Sequence, residues 1–300
     1  MRLERMRRFV ALTAVLAATA VIVPNAGVRH ADAVLVKVNS AKGVDHPQNV
    51  LWILALGSDA RPGEAVPRSR ADAIQLVGLN LKTGTGVIYG VPRDSWVSIP
   101  GYGSNRVNAA MYFGGPQLMS RVVGSMFGIR VDYVFVTGFG GFANMVRSIG
   151  GVTVNSDMAF SDDNLSGHFR KGKNHVNGVI ALHFGRMRHF LPRGDFDRSA
   201  HQGELIKAIA RKVDANEDKP GFIERGLLSV VRNLNTDLSP VELYRLGQAA
   251  TLVDPAKMKD CVLNGSIANI GGASVVLPSL AQARRLGNAA RTDAKLEGGC

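Results

Sequence analysis

Four stretches of this sequence set charged side chains where apolar runs stop. GSDARPGEAVPRSRAD (residues 57–72) puts Asp59 and Asp72 on either side of one loop. Two carboxylates brought together at adjacent strand ends repel unless a cation lies between them or one is protonated. A hard divalent ion held by one or two carboxylates plus phosphate oxygens is the usual magnesium arrangement. The alternative is that each acid pairs with a neighbouring arginine. In the second stretch, GVPRDSWVSIPGYGSNRVNAA (residues 90–110), Arg93 and Asp94 follow Pro92, and Arg106 and Asn108 precede a helix. A helix start presents backbone N–H groups that favour anions. The third, RMRH, carries Arg186 and Arg188, which share a face only in an extended backbone. The fourth, DFDRSAHQ, places Asp195, Arg198 and Gln202 at i, i+3 and i+7, one face of a helix. Several guanidinium forks converging on one crevice suit a diphosphate, which arginine binds in bidentate fashion.

The elements that must position these groups are readable from hydrophobic pattern. Near-continuous apolar runs at residues 49–57, 72–81 and 86–91 suit strands covered on both faces. Residues 130–139 alternate as a strand, and residues 152–155 and 273–277 are short strands. Helical spacing covers 115–128, 141–151, 177–184, 195–213, 221–234 and 240–252, with Asn177 as an N-cap and Gly185 ending that helix. Residues 158–174, carrying Asp162, Asp163, His168, Arg170, Lys171 and Lys173, are expected to form an exposed loop. Strands alternate with helices, so the expected fold is α/β: an α-β-α sandwich with a mixed central β-sheet covered by helices on both faces. The sheet must be mixed because connections such as 80–86 are too short for a parallel crossover. The arginines sit at element ends, where α/β sheets bind ligands.

Bulk properties narrow the setting. Of 300 residues, 46% are hydrophobic and 20% charged, a globular composition. Lysines and arginines number 36 against 24 acids, a net charge of +12 that suits an anionic partner. MRLERMRR carries four arginines, and an uncharged apolar run follows at residues 9–23. That run lies between a signal-peptide core of about 7–15 residues and a membrane span of roughly 20. Ala31-Asp32-Ala33 offers a cleavage signal, so residues 1–33 are an export signal, either cleaved or kept as an anchor. Arginines before the run put the rest of the chain outside the cytoplasm. Export excludes nucleic acid as a partner. Residues 34–48 are expected to be a linker, 49–214 the catalytic domain, and 215–300 C-terminal helices, strand and tail packed on the same domain. Cys261 and Cys300 are the two cysteines; outside the cytosol they can pair, although the Gly-rich tail KLEGGC argues against a strong constraint. No further ligand stands at metal spacing beside either.

Taken in order, GSDAR, RSRAD, VPRDSWVSIPG, RVNAA, FGIRVDYVFVTGF, GF…IGGV, KGKNHVNGVIALHFGRMRH and GDFDRSAHQ make the chain resemble the LytR-CpsA-Psr family of cell-wall glycopolymer ligases over roughly residues 50–212. The resemblance implies an extracytoplasmic protein, anchored at the membrane surface or secreted. It would bind a polyprenyl-diphosphate-linked glycan, its lipid tail in an apolar pocket under the sheet. It would transfer the phosphoglycan to a peptidoglycan hydroxyl and release polyprenyl phosphate. Mg²⁺ or Mn²⁺ is the implied cofactor, held by Asp59 and Asp72. Arg70, Arg93, Arg186, Arg188, Arg198 and Gln202 match the diphosphate-binding groups, and Arg106 stands where the family often has lysine. Displacement at phosphorus builds charge that arginines and a metal stabilise, so Arg93 and Arg198 are assigned catalytic roles. Asp59 or Asp94 is the candidate base. Met111, Met119 and Met126 either line a lipid tunnel or fill the core.

Two departures stand out. The family commonly has arginine where this chain has His201, which weakens that corner when neutral or gives it a pH-dependent charge. FLPRG also inserts a stiff, basic segment before Asp195. The alternatives to a transferase are a polyprenyl-diphosphate hydrolase and a non-catalytic lipid- or glycan-binding envelope protein. A transcriptional regulator, suggested by the family's older naming, lacks a recognition-helix signal.

Overall fold

The computed structural model describes residues 32–300, apart from 40, 42, 46–49, 62, 163–164, 166, 189–190 and 232–233. The apolar run of the export signal, Asn49, Asp163 and His189 lie outside the described residues. Among the described residues no helix is long and apolar enough to cross a membrane.

The chain runs β1 (Ala33–Lys37), β2 (Val50–Ser58), β3 (Ala71–Asn80), β4 (Gly86–Gly90), β5 (Trp96–Ile99), β6 (Gly103–Arg106), α1 (Ala109–Phe127), β7 (Tyr133–Thr137) and α2 (Phe139–Ser148). Then follow β8 (Val152–Ser156), β9 (Phe160–Asp162), β10 (Gly167–Phe169), β11 (Gly172–Val176), α3 (Gly178–Arg186), α4 (Asp195–Asp214) and α5 (Phe222–Val231). The last elements are β12 (Leu234–Thr236), α6 (Pro240–Ala250), β13 (Met258–Val262), β14 (Gly265–Ile270), β15 (Ala273–Pro278) and α7 (Leu280–Ala290).

Seven strands form one mixed sheet in the order β12-β1-β7-β2-β3-β4-β13. β2 is antiparallel to β3 and β3 to β4, as the short connection after Asn80 requires. β7 runs parallel to β2, and β13 parallel to β4. The apolar runs are explained by burial on both faces. Trp52, Leu54 and Leu56 of β2 join Ile74, Leu76, Val87 and Tyr89 against α1 and α7. Leu51 packs on the opposite face with Leu35 and Tyr133, and there Val77, Leu79 and Ile88 meet Ile206 and Ala210 of α4. Met111, Met119 and Met126 are buried in the first of these cores, so they fill it. α1 begins six residues earlier than the periodicity at 115–128 indicates. It kinks at Gly115, whose φ of 64° and ψ of −160° break the helical pattern before Pro116. Asn177 caps α3 through its side chain, which accepts from the Val179 and Ile180 N–H groups.

Three sequence expectations are corrected. The supposed linker contains β1, an interior strand of the sheet paired with β7 and β12. The boundary expected at 214 does not divide the sheet: residues 215–300 pack on the same domain, as expected, but their β12 and β13 are strands of the central sheet itself. The expected polar loop at 158–174 holds β9, β10 and the start of β11, with Phe160 and Phe169 buried in a satellite core beside Phe184 and Leu205. Strands of three residues with one inward apolar side chain leave almost no periodic signal.

Cys261 and Cys300 are joined, with Cα atoms 5.5 Å apart. The Gly-rich tail is not loose: the Cys300 carbonyl accepts from Gln282 Nε2 at 2.8 Å and Arg285 Nη2 at 2.5 Å. Because the cross-link spans 39 residues, reducing it, or Cys300→Ser, is expected to lower unfolding free energy by roughly 2–4 kcal/mol. Urea denaturation with and without reductant reads this, and an unchanged midpoint would assign the tail's anchoring to Gln282 and Arg285 instead.

Candidate functional site

The ends of β2, β3 and β4 that carry Asp59, Asp72 and Arg93 lie at the same edge of the sheet, as their antiparallel registers dictate. Arg93 and Asp94 occupy the centre of a tight turn. Ser95 N–H donates to the Pro92 carbonyl at 3.0 Å, and the fully buried Ser95 hydroxyl donates to the same oxygen at 2.7 Å. Pro92 fixes its own φ at the entry to the turn, and the closed turn holds Arg93 and Asp94 beside Asp72 and Arg106. The turn also fixes the start of α1. Val107 N–H donates to Ser95 O at 2.7 Å and Asn108 N–H to Arg93 O at 3.3 Å.

An inner cluster gathers around this turn. Arg93 Nη1 lies 2.5 Å from Asp72 Oδ1 and its Nε 3.8 Å from Asp94 Oδ2. Arg106 Nε lies 3.5 Å from the other Asp94 oxygen, and its Nη2 donates to the Ser274 carbonyl at 2.9 Å. Arg198 pairs with Asp195, both largely buried. Gln202 Nε2 donates to Asp72 O at 3.3 Å and Gly185 O at 3.0 Å, tying β3 and α3 to α4. Gln75 continues that network, donating to Ser199 O at 3.0 Å.

The remaining expected residues lie around the rim. Arg188 is half-buried and near enough to act on Asp195 and Arg198. Arg186 is exposed at the end of α3 and stacks on Phe139, its guanidinium carbon 4.1 Å from the ring centroid. The two arginines of RMRH therefore do not act as a matched pair. Arg70 is exposed, with its guanidinium in no ion pair among the described residues. Its backbone N–H, however, donates to Asp59 Oδ1 at 2.9 Å. Each candidate metal-side acid thus has one oxygen engaged, Asp59 with a backbone N–H and Asp72 with Arg93.

Electrostatics divide the cluster. Burial alone would lower the Arg93 pKa, but Asp72, Asp94 and Asp195 outweigh it and hold that guanidinium above its ordinary value. Asp195 is pushed up, first by burial and then by Asp94, against the pull of Arg198, Arg93 and Arg188. Burial also pulls Arg198 down, Asp195 opposing it. In this pair desolvation exceeds mutual attraction for both partners, which is the expected behaviour of an ion pair taken out of water. Three buried atoms in this network have no hydrogen-bond partner: Arg93 Nε, a donor, and Asp195 Oδ2 and Gln75 Oε1, acceptors. Buried polar atoms are ordinarily satisfied, so an unmatched donor and acceptor in one charged crevice match an incoming phosphoryl oxygen and an incoming hydroxyl. Asp195 held no assigned role in the sequence reading. Its signal was an acid in the first turn of a helix, three residues before Arg198.

His201 does not face this cluster. Its ring lies between Phe160 and Phe184, with centroids 4.7 Å and 4.4 Å away. Burial first, against the pull of Asp197 and Asp157, lowers its pKa to about 4. It is neutral at pH 7. A histidine pKa depressed on folding gives stability that is present above the unfolded value and lost as pH falls toward 4. Between pH 7 and 4.5 this residue is expected to cost about 2 kcal/mol, a loss His201→Phe should escape. Denaturant titrations of both proteins at the two pH values test it, and equal acid losses would remove His201 as the cause.

The fold and the arginine-lined sheet edge define the class. The sequence matches the LytR_cpsA_psr family over residues 19–292, and the chain belongs to that family. A Bacillus cereus protein named polyisoprenyl-teichoic acid–peptidoglycan teichoic acid transferase TagU is 31% identical over 221 residues, 73% of this chain and 68% of that protein. The crystal structure of Bacillus subtilis TagV shares the fold, with a TM-score of 0.68 at 24% identity over 81% of this chain and 97% of that one. A structure of TagT bound to LI-WTA aligns with a TM-score of 0.66 at 25% identity, covering 84% of this chain and 93% of that one.

Proposed function

We propose that this protein is an extracytoplasmic phosphotransferase, working at the outer face of the cell membrane. It moves a phosphoglycan from a polyprenyl-diphosphate carrier to a peptidoglycan hydroxyl. The observation that carries the reading is the charged cluster: Arg93, Arg106, Arg188 and Arg198 around an unmatched donor and an unmatched acceptor. The names of the relatives, which describe glycopolymer transfer to peptidoglycan, point the same way.

In this reading the arginines bind the diphosphate and stabilise charge building on its non-bridging oxygens. The acceptor hydroxyl attacks the phosphorus that bears the glycan. A new P–O bond forms, the bond to the bridging oxygen breaks, and polyprenyl phosphate leaves. The hydroxyl proton passes to a carboxylate. Asp94 is held between Arg93 and Arg106, and Asp59 bonds a backbone N–H, whereas Asp195 combines a raised pKa with an unpartnered oxygen. Asp195 is therefore the better proton acceptor.

Asp59 and Asp72 suit a hard divalent cation, since each is an oxygen donor at an adjacent strand end with one oxygen uncommitted. Bound there, Mg²⁺ or Mn²⁺ would add Lewis-acid stabilisation to the diphosphate. Assay of lipid-linked glycan with peptidoglycan is expected to release polyprenyl phosphate and leave glycan covalently on the wall polymer. Chelation by EDTA should cut the rate roughly 10²-fold, restored by Mg²⁺. Equal release without peptidoglycan would make the protein a hydrolase, and tight binding with no release would make it a binding protein.

A further inference from the structure

Two tyrosines on the elements that flank the charged cluster are exposed in an orderly way. Tyr89 and Tyr133 are fully buried, whereas Tyr102 and Tyr112 are 51% and 60% exposed. Tyr102 lies in the connection between β5 and β6. Its ring lies flat on Phe113, with centroids 4.6 Å apart and planes 3° apart, and its hydroxyl donates to the Phe113 carbonyl at 3.3 Å. Tyr112 meets Phe113 edge-on at 5.8 Å. One face of Tyr102 is thus covered, and the other is held toward solvent by a stack and a hydrogen bond. Leaving such rings in water forgoes the free energy of burying them. Fixing one in place also gives up rotamer freedom.

The rings sit on the two elements that lead away from the charged cluster. The base of the β5–β6 hairpin carries Arg106, which is paired with Asp94, and Tyr102 stands at its tip, about 10 Å or a sugar unit or two along the strand. Tyr112 is the fourth residue of α1, about one helical turn (~5 Å) beyond Asn108. Asn108 in turn is bonded through its backbone to Arg93 and Ala71. We propose that Tyr102 and Tyr112, backed by Phe113, form a sugar-binding subsite on which pyranose rings of the donor glycan stack next to its diphosphate. This rests on the diphosphate crevice of the proposed transferase. A pyranose has an apolar C–H face rimmed by hydroxyls, and a tyrosine offers a flat apolar face and one hydroxyl at its rim. A prenyl chain has no polar rim and gains most from an enclosed apolar cavity, not from half-exposed rings beside polar Ser104, Asn105 and Arg106.

Calorimetric titration of the full chain with two probes tests this: farnesyl diphosphate alone, and farnesyl diphosphate carrying an N-acetylhexosamine disaccharide. The Tyr102→Ala/Tyr112→Ala protein is expected to bind the glycan-bearing probe roughly tenfold more weakly (about 1.4 kcal/mol) and the bare probe as wild type does. Tyr102→Phe/Tyr112→Phe keeps both rings and should stay within about twofold of wild type for both probes. Equal loss for both probes overturns the subsite while leaving the diphosphate crevice standing. Wild-type protein that binds neither probe overturns the crevice reading and the subsite with it. Lost sedimentation with anionic lipid vesicles, at unchanged affinity for the disaccharide probe, would give the rings to a membrane surface and overturn the proposal.

Discussion

Arg93→Ala is expected to lower turnover of a lipid-linked glycan by about 10²–10³-fold, the usual cost of one preorganised donor at a centre where charge develops. The loss should fall mainly on kcat, because the charge on the phosphoryl oxygens is greater in the transition state than in the bound diphosphate. Two features make Arg93 the place to look. Its Nε is buried without a hydrogen-bond partner, 3.8 Å from Asp94 Oδ2, and so has a hydrogen bond left to give an incoming oxygen. Its surrounding acids hold it firmly charged. The fold should survive, since the turn at residues 92–95 is closed by the backbone and by the Ser95 hydroxyl, not by the arginine. Arg93→Lys should recover only part of the loss, because a single ammonium cannot serve Asp72 and a phosphoryl oxygen in one fixed fork. Release of polyprenyl phosphate by Arg93→Ala within threefold of wild type, with unchanged circular dichroism, would take Arg93 out of the site.

That residue was accessible from sequence because two independent signals met there. An apolar strand ended in Pro92, and charges followed in turn-forming backbone. The same kind of signal marked Asp72 and Arg106, each at the end of an element, while Gln202 was marked by the helix face it shares with Arg198; the structure brings all of them to one end of the sheet. Central strands were legible for a related reason. β2, β3 and β4 are covered on both faces, so apolar residues fill most of each strand and the runs are unmistakable.

What stayed hidden depends on partners far away in the chain. β1 is five residues between polar stretches, and only its pairing with β7 and β12 makes it a strand. The tail looks loose until Gln282 and Arg285 are seen to clamp the Cys300 carbonyl. His201 looked like a weakened corner of the anion site, but the register of α4 turns it between two phenylalanines. Arg186 and Arg188 are two residues apart in sequence, yet the helix ends between them and their side chains diverge. Local pattern identifies which residues carry chemistry; burial decides which of them face one another.

Burial also changes what Arg198→Ala should do. An exposed arginine could be removed with the fold intact, but this side chain is 6% exposed and pairs with Asp195 at 12%. Removing it leaves a buried carboxylate without its cation, at an expected cost of about 3–5 kcal/mol at pH 7. The penalty should depend on pH with a definite sign. Asp195 already sits above its ordinary pKa through burial, and losing Arg198 removes the largest opposing pull. A carboxylate whose folded pKa is raised binds its proton more readily in the native state, so stability falls as pH rises through that range. The variant's deficit should therefore shrink as pH is lowered from 7 and Asp195 takes up a proton. Arg198→Ala/Asp195→Asn removes the stranded charge and should regain most of the stability at pH 7. It should not regain turnover, which is expected to stay at least about 10²-fold down because a diphosphate donor and the proton acceptor are both gone. Denaturant unfolding and polyprenyl phosphate release, measured on the same three proteins, separate the two roles. If the double variant recovered turnover along with stability, Arg198 and Asp195 would be a scaffold for the crevice and the transfer would be run by Arg93 and its neighbours.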